Sequence, residues 1–227
     1  MILVHHLNNS RSQRVLWLLE ELELPYEIRR YTRDPLTQLA PPELLQVHPL
    51  GKSPVLTDEG ITVAESGAII EYLLDRYGNG RLRPAPGTPE RLRFTYWLHF
   101  AEGSAMPMLL LKLIFDRIEE APVPLLVRWL VRPVARGIAG HVKKQFILPN
   151  LERQRAFLEQ TLLEQAWFAG AEFSAADIQM SFAVEAYASR GGLQDQPRLR
   201  DFLERIHARP AYGRALERGG PYRLPGS

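Results

Sequence analysis

A small α/β domain followed by an all-helical domain is the fold class that this 227-residue chain predicts, on three observations. Short apolar runs alternate with helical periodicity over residues 1–80. Glycine and proline then accumulate between Gly78 and Pro89 and interrupt that periodicity. Everything beyond repeats at helical spacing, which divides the chain into a first domain (1–80), a linker (81–90) and a helical domain (91–227).

Met1 to Leu7 opens as a strand and runs into Asn8-Asn9-Ser10. Val15, Leu18, Leu19 and Leu22 then recur at i, i+3, i+4 and i+7, marking an amphipathic helix that ends near Leu24-Pro25. Tyr26 to Tyr31 alternates in part like a half-buried strand, and Pro41-Pro42-Glu43-Leu44-Leu45 begins a helical turn ahead of His48-Pro49. Pro54 opens the apolar strand Val55-Leu56. Having no N–H for a sheet ladder, it leaves the preceding peptide group of Ser53 available, and a cis Ser53-Pro54 bond would aim that backbone at a ligand, although trans is the rule. After a turn at Asp58-Glu59-Gly60 and a strand from Ile61 to Ala64, Ser66 stands at the N-cap of a helix carrying Ile69, Ile70, Leu73, Leu74 and Tyr77. Free N–H groups at such a start attract a carboxylate, while capping its own helix is the commoner use of a serine there. The order is β-α-β-α-β-β-α.

In the helical half, Phe94, Leu98, Ala101 and Ala105 fall at i, i+4, i+7 and i+11, and Leu151, Phe157, Leu158 and Leu162 supply a later face. Ser174 and Asp177 are spaced to exchange hydrogen bonds with each other's backbone, with Phe173 placed to pack on Ile178. The stretch Leu109 to Phe146 is unusually apolar and carries Arg128, Arg132 and Arg136 at i, i+4 and i+8. A basic amphipathic stripe of this kind suits a membrane surface. The preferred reading is a long helical pair, broken into short pieces by Pro122, Pro124 and Pro133, whose apolar side packs on its own domain or across a dimer and walls a hydrophobic pocket. Trp17, Tyr96, Trp97, Phe100, Met106 and Phe115 are candidates to line an apolar site between the domains, though aromatics at helical spacing read first as core.

Composition removes several classes of function. With 45% hydrophobic and 24% charged residues the chain reads as globular, and 28 basic against 26 acidic residues are too balanced to argue for nucleic acid. The absence of cysteine excludes disulfides, thiolate metal sites and a cysteine nucleophile, so any thiol chemistry must use a thiol carried by the ligand. His5, His6, His48, His99, His141 and His207 show no metal-ligand spacing, and no GxSxG elbow is present. No secretory leader opens the chain, and Lys112, Asp116, Arg128 and Arg132 interrupt the apolar stretches, so no transmembrane helix and a cytoplasmic location are expected.

Three motifs, Ser10-Arg11-Ser12-Gln13-Arg14 after the first strand, the turn Lys52-Ser53-Pro54-Val55, and Glu65-Ser66 before the last helix, fall in an order that resembles the N-terminal, thioredoxin-like domain of glutathione transferases. Phe173 to Ile178 is similar to the capping box and hydrophobic staple of that family's helical domain. Trp167-Phe168-Ala169-Gly170 and His207 to Tyr212 extend the likeness to about Leu216. The resemblance implies a homodimer with glutathione as co-substrate and no metal. It also implies attack of the glutathione thiolate on a hydrophobic electrophile or a peroxide.

A thiol of pKa about 8.5 is mostly protonated at neutral pH, so the enzyme must stabilise its anion. A hydroxyl at a helix start does this by hydrogen bonding and dipole together. By resemblance to the serine-type transferases Ser10 holds this position, with Asn9 and Ser12 as the nearest alternatives and N-capping as the competing use of the Ser10 hydroxyl. The resemblance further places the Ser53 backbone on the cysteinyl unit of glutathione, Glu65 and Ser66 on the γ-glutamyl end, and Lys52 near the glycyl carboxylate. Ser53 stands where a β-branched apolar residue usually precedes the proline, which leaves the packing of that turn open. Two other functions fit the same motifs: a glutathione-dependent peroxidase or disulfide-bond reductase, and a non-catalytic interaction module of the same fold.

Overall fold

The computed structural model of the chain describes residues 1–222; the last five positions of the expected helical domain, 223–227, lie outside the described residues. β1 (Ile2–Leu7) runs beside β2 (Tyr26–Tyr31) in parallel, a pairing that requires a crossover, and α1 (Ser12–Glu21) supplies it. β3 (Val55–Asp58) lies antiparallel to β1, and β4 (Ile61–Ala64) antiparallel to β3, giving the order β2-β1-β3-β4. The expected turn after Pro41 is a short 3-10 helix, Pro42–Gln46, and α2 (Ser66–Tyr77) follows β4 directly. The apolar face of α1, with Val15, Leu16, Leu18 and Leu19, is fully buried together with Ile69, Ile70 and Leu73 of α2. Each such side chain contributes about 1.5–3 kcal/mol on burial.

The serine at position 53 has a definite role in this sheet. β3 pairs with β1 through Thr57, Leu56 and Val55 only, since Pro54 has no N–H to extend the ladder. The Ser53 hydroxyl takes over, donating to the His5 carbonyl at 2.8 Å and accepting the Leu7 N–H at 3.2 Å. A β-branched apolar residue could make neither bond. The Ser53-Pro54 peptide is cis.

In the helical region Thr88 caps α3 (Pro89–Phe100), accepting the Arg91 N–H at 3.2 Å, and Pro89 occupies the first turn, where its missing N–H costs nothing. A π-helical segment, Ala101–Ala105, joins α3 to α4 (Met106–Glu120) without a break. The resulting 32-residue run, Pro89–Glu120, is long and apolar enough to cross a bilayer by length and composition alone. Phe94, Trp97, Leu98, Ala101, Ala105 and Leu109 nevertheless bury one side of it in the core, which makes it the central helix of its domain.

α5 (Arg128–Val142) continues through a second π-helical segment, Lys143–Ile147, into α6 (Leu148–Glu164). The expected proline breaks hold only in part: α4 ends at Glu120, just before Pro122 and Pro124, whereas Pro133 lies inside α5 and the helix runs on. The carbonyl that loses its partner belongs to Trp129, which is 76% exposed, so water can satisfy it. The expected packing of the apolar side on its own domain also fails, since of the residues in α5 only Ala139 is buried.

α7 (Ala175–Gly191) is embedded in the core, with Ala176, Ile178, Met180, Ala183, Val184 and Ala186 inaccessible. At its start Asp177 accepts the Ser174 N–H at 2.9 Å and hydroxyl at 3.1 Å on one oxygen and the Phe168 N–H at 2.9 Å on the other, within a capping box. Phe173 makes its ring contacts with Trp17 and Trp167. α8 (Pro197–His207) and α9 (Pro210–Gly219) complete the chain, and α9 is fastened to α1 by a two-pronged Arg209–Glu21 pair at 2.6 and 2.8 Å.

Candidate functional site

Where the α/β domain meets the central helix, four stretches of chain line one cleft. The loop before β3 supplies His48, Leu50, Lys52, Ser53 and Pro54, the β4–α2 junction supplies Ala64, Glu65 and Ser66, and Arg11, Glu102 and Leu110 close the far side. Lys52, Ser53, Glu65 and Ser66 thus share a single concavity. Lys52 and Glu65 are exposed, Ser53 is half-buried and Ser66 is buried. A second concavity, between residues 80–84 and 169–174, is the seam between the linker and the helical domain and holds none of these residues. Among the described residues no three of His, Cys, Asp and Glu cluster as a metal site.

The β4–α2 junction is built differently from a simple serine cap. α2 begins at Ser66, the N-cap position falls on Glu65, and no side chain caps the helix. Glu65 sits at φ 72°, in a region that a β-carbon disfavours by about 1–3 kcal/mol and that concentrates at ligand sites. The Ser66 hydroxyl instead accepts from the Arg14 guanidinium at 3.0 Å.

Arg14 is the hub that the sequence reading missed. Almost wholly buried, it donates to Ser66, to the Gln179 carbonyl at 2.6 Å and to the Glu102 carboxylate at 2.6 Å. Arg11 adds two contacts to Glu102, at 3.1 and 3.0 Å, and both guanidinium groups lie over the Phe182 ring. Burial pushes the Glu102 carboxyl upward, but Arg14 and Arg11 outweigh it and hold the group below the usual glutamate range. Burial pulls Arg14 downward, yet arginine keeps its proton in proteins, so the pair is charged on both sides. Glu102 stands in the π-helical segment between α3 and α4, a kind of irregularity that often accompanies functional sites. One sequence signal was available: Arg11, Arg14 and Leu18 share a helix face, and a buried arginine on an apolar face needs a carboxylate.

Ser10 lies just outside the cleft lining and is buried. Its hydroxyl oxygen accepts the N–H of Ser12, the first residue of α1, at 3.2 Å, although the N-cap position falls on Arg11, and it stands 2.7 Å from the Ser12 hydroxyl. Ser12 in turn lies 2.8 Å from His6 Nδ1. Burial and the nearby Arg30 lower His6 to about 4, so its ring is neutral at pH 7, and it hydrogen-bonds the Gly219 backbone at the end of α9. A neutral ring that gives its one proton to the Gly219 carbonyl keeps Nδ1 as an acceptor. The Ser12 hydroxyl thus has two acceptors within reach, His6 Nδ1 and the Leu7 carbonyl at 3.3 Å, and across the Ser10–Ser12 contact either hydroxyl can donate. Asn9, beside it, adopts φ 50°, a left-handed conformation that asparagine tolerates well.

The aromatic candidates for the apolar site divide. Trp17, Trp97, Phe100 and Met106 are core, Tyr96 is 46% exposed and stacks on Phe100, and Phe115 is half-buried. From the central helix the apolar residue that reaches the cleft is Leu110, beside Glu102, and none of these candidates does.

Comparison with known proteins agrees with this architecture. Residues 1–75 match the family model "Glutathione S-transferase, N-terminal domain", and residues 144–210 match "Glutathione S-transferase, C-terminal domain". The chain is 36% identical to glutathione S-transferase 3 of Schizosaccharomyces pombe, over 96% of this chain and 88% of that protein. It is 32% identical to glutathione S-transferase 1 of Saccharomyces cerevisiae, over 96% and 95%. A crystal structure of a glutathione S-transferase from Actinobacillus pleuropneumoniae superposes with a TM-score of 0.74 at 31% identity, covering 96% of this chain and 93% of that one. With a four-stranded sheet of this order, a helical second domain and a polar cleft at their junction, the chain belongs to the glutathione S-transferase family and is a glutathione transferase.

Proposed function

We propose that glutathione lies in the cleft with its γ-glutamyl end on Glu65 and Ser66, its cysteinyl backbone on Ser53 and its glycyl carboxylate near Lys52. The observation that carries this reading is the convergence of these four residues in one concavity at the domain junction. Each suits its assignment: Glu65 accepts from an ammonium, the α2 start and Ser66 suit a carboxylate, and Lys52 supplies a positive charge. Pro54 orders the Ser53 turn, while Ser174 and Asp177 order the helical domain.

In this reading the Ser10 hydroxyl turns from Ser12 to the sulfur and stabilises the thiolate. The sulfur electron pair then forms a bond to an electrophilic carbon, and the leaving group departs with its pair, or the sulfur cleaves a peroxide O–O bond. The hydrogen bond between the Ser10 and Ser12 hydroxyls supports a second reading of this step, in which Ser10 stays bound to the start of α1 and Asn9 serves the sulfur. Leu110 and the helical domain would select a hydrophobic second substrate, which suits detoxification. A cytoplasmic location fits an enzyme that draws on the cytosolic glutathione pool. Pairing into a homodimer fits the exposed Leu92, Tyr96 and Phe157 on α3 and α6.

Calorimetric titration with glutathione, together with the thiolate absorbance of the bound ligand across pH, tests the assignment. Wild type and Ser10→Ala should both bind, with the thiolate pKa lowered only in wild type. Lowering that persists in Ser10→Ala and vanishes in Asn9→Ala moves the role to Asn9. Absence of binding by wild type overturns the site.

A further inference from the structure

The face of α4 that reaches the cleft continues past it. Leu110, Leu113 and Arg117 fall at i, i+3 and i+7 and so share one side of the helix. Leu110 lines the cleft, while Leu113 and Arg117, one and two turns further on, line a neighbouring hollow whose other wall is Ser189 and Arg190 at the end of α7. Arg190 ties the two together, because its Nη1 donates to the Leu109 carbonyl at 3.1 Å and so sets the guanidinium against the backbone next to Leu110. A molecule that reaches the cleft and lies along α4 extends toward this hollow.

The charges around it do not balance. Glu102 answers Arg11 and Arg14, Asp116 answers Lys112 and Lys143, and Glu119 answers Lys143. No ion pair joins Arg117 or Arg190 to an acid among the described residues. Glu120 stands at the outer end of the hollow, where Lys112, Arg117 and Arg190 outnumber it and Asp116. Arg117 is exposed to water, but Arg190 is half-buried and its Nε is buried without a partner. Burial lowers Arg190, and the charges of Arg117 and Arg11 lower it further, with Asp116 as the smaller opposing influence. A half-buried guanidinium crowded by two others and lacking its own carboxylate is costly unless an anion accepts from its fork. Leu110 and Leu113, on the way from the cleft to that fork, suit an apolar body.

We propose that Arg117 and Arg190 bind a carboxylate of the second substrate, so that the class this enzyme takes is an electrophile with an apolar body over Leu110 and Leu113 and an acid group beyond it. This rests on the reading of the glutathione cleft given above and narrows its hydrophobic substrate to an organic acid.

The test is calorimetric titration of the full chain with glutathione, with its S-dinitrophenyl conjugate, and with the same conjugate bearing a carboxylate on the ring. Expected is binding of the carboxylate conjugate at least about tenfold tighter than that of the plain one, a ratio that narrows as salt rises. Arg117→Gln with Arg190→Gln should bring the ratio to about one. Arg117→Gln alone, at an exposed position, should lower it at least about threefold and decides the matter if the double variant does not fold. Equal binding of the two conjugates by wild type overturns the inference and leaves the glutathione site standing. So does a preference for the carboxylate that survives in the variants, since the anion would then be held elsewhere. Failure of wild type to bind glutathione itself overturns the site, and the inference with it.

Discussion

Replacing Glu102 by alanine should destabilise the protein and loosen the cleft together. The variant leaves Arg14, whose side chain is only 3% exposed, with Gln179 and Ser66 as neutral partners and no counter-charge. Breaking a fully buried ion pair in this way costs about 3–5 kcal/mol. Glu102 is 30% exposed, so solvent already screens part of the interaction, and the expected loss is about 2–3 kcal/mol. For a chain of this size that corresponds to a fall in Tm of roughly 5–10 °C. Urea unfolding at pH 7 gives the first number and scanning calorimetry the second. Glutathione binding should weaken as well, because the Ser66 hydroxyl is held by the same guanidinium. A change within about 0.5 kcal/mol, the range of ordinary surface substitutions, would show that Arg14 is not dependent on Glu102 and would refute the hub.

The same pair has a pH signature whose sign follows from the direction of the shift. Glu102 titrates lower in the folded protein than in the unfolded chain, so its stabilisation is present above the ordinary glutamate value near 4.5 and is lost as pH falls through the folded value. Glu102→Gln removes that titration. Plotted against pH, the stability difference between wild type and this variant should shrink on the acid side, and a difference that stays constant would contradict the charged reading.

Three further outcomes are expected. Ser10→Ala should raise the pKa of bound glutathione by about one unit, the equivalent of one hydrogen bond to the anion, without abolishing binding, as followed by thiolate absorbance; an unchanged pKa removes Ser10 from the thiol step. Asp177, pushed up to about 6 by burial, contributes stability that is full below the unfolded value near 3.8 and disappears above about 6, so the stability of wild type relative to Asp177→Asn should fall as pH rises between those values in urea titrations, and an invariant difference refutes it. Arg209→Ala breaks the two-pronged bond to Glu21, which is 9% exposed, and should cost about 1.5–3 kcal/mol by thermal unfolding, whereas a loss below about 0.5 kcal/mol would mean that packing and the Arg214 and Arg218 contacts with Glu20 hold α9 to α1 without it.

What could be read from the sequence and what could not differ in the range of the interaction that decides each feature. The β-α-β-α-β-β-α order follows from signals within a few residues, such as the Val15 to Leu22 period or the Asp58-Glu59-Gly60 turn, and the sheet register then follows from burying one face. Lys52, Ser53, Glu65 and Ser66 could be singled out as candidates because each belongs to a local motif, and the fold brings the four to one cleft. Glu102 could not be, since its partners Arg11 and Arg14 lie 91 and 88 residues away and a single acid on a helix looks like solvated surface. The Ser10 hydroxyl illustrates the limit most sharply. Sequence places it at the start of α1, where capping and thiol activation employ the same hydroxyl, and the structure shows that hydroxyl engaged by the Ser12 N–H and the Ser12 hydroxyl, in a chain of contacts that runs on through His6 to Gly219, far down the sequence. α5 failed in the opposite sense: its period was correctly apolar on one face and basic on another, but a helical period fixes only that a face exists. Which way the face points is set by what packs behind it, and here a narrow stripe of Ala135, Ala139 and Val142 against the domain leaves Leu130, Val134 and Ile138 to solvent, so the same pattern that ordinarily builds a core builds a surface.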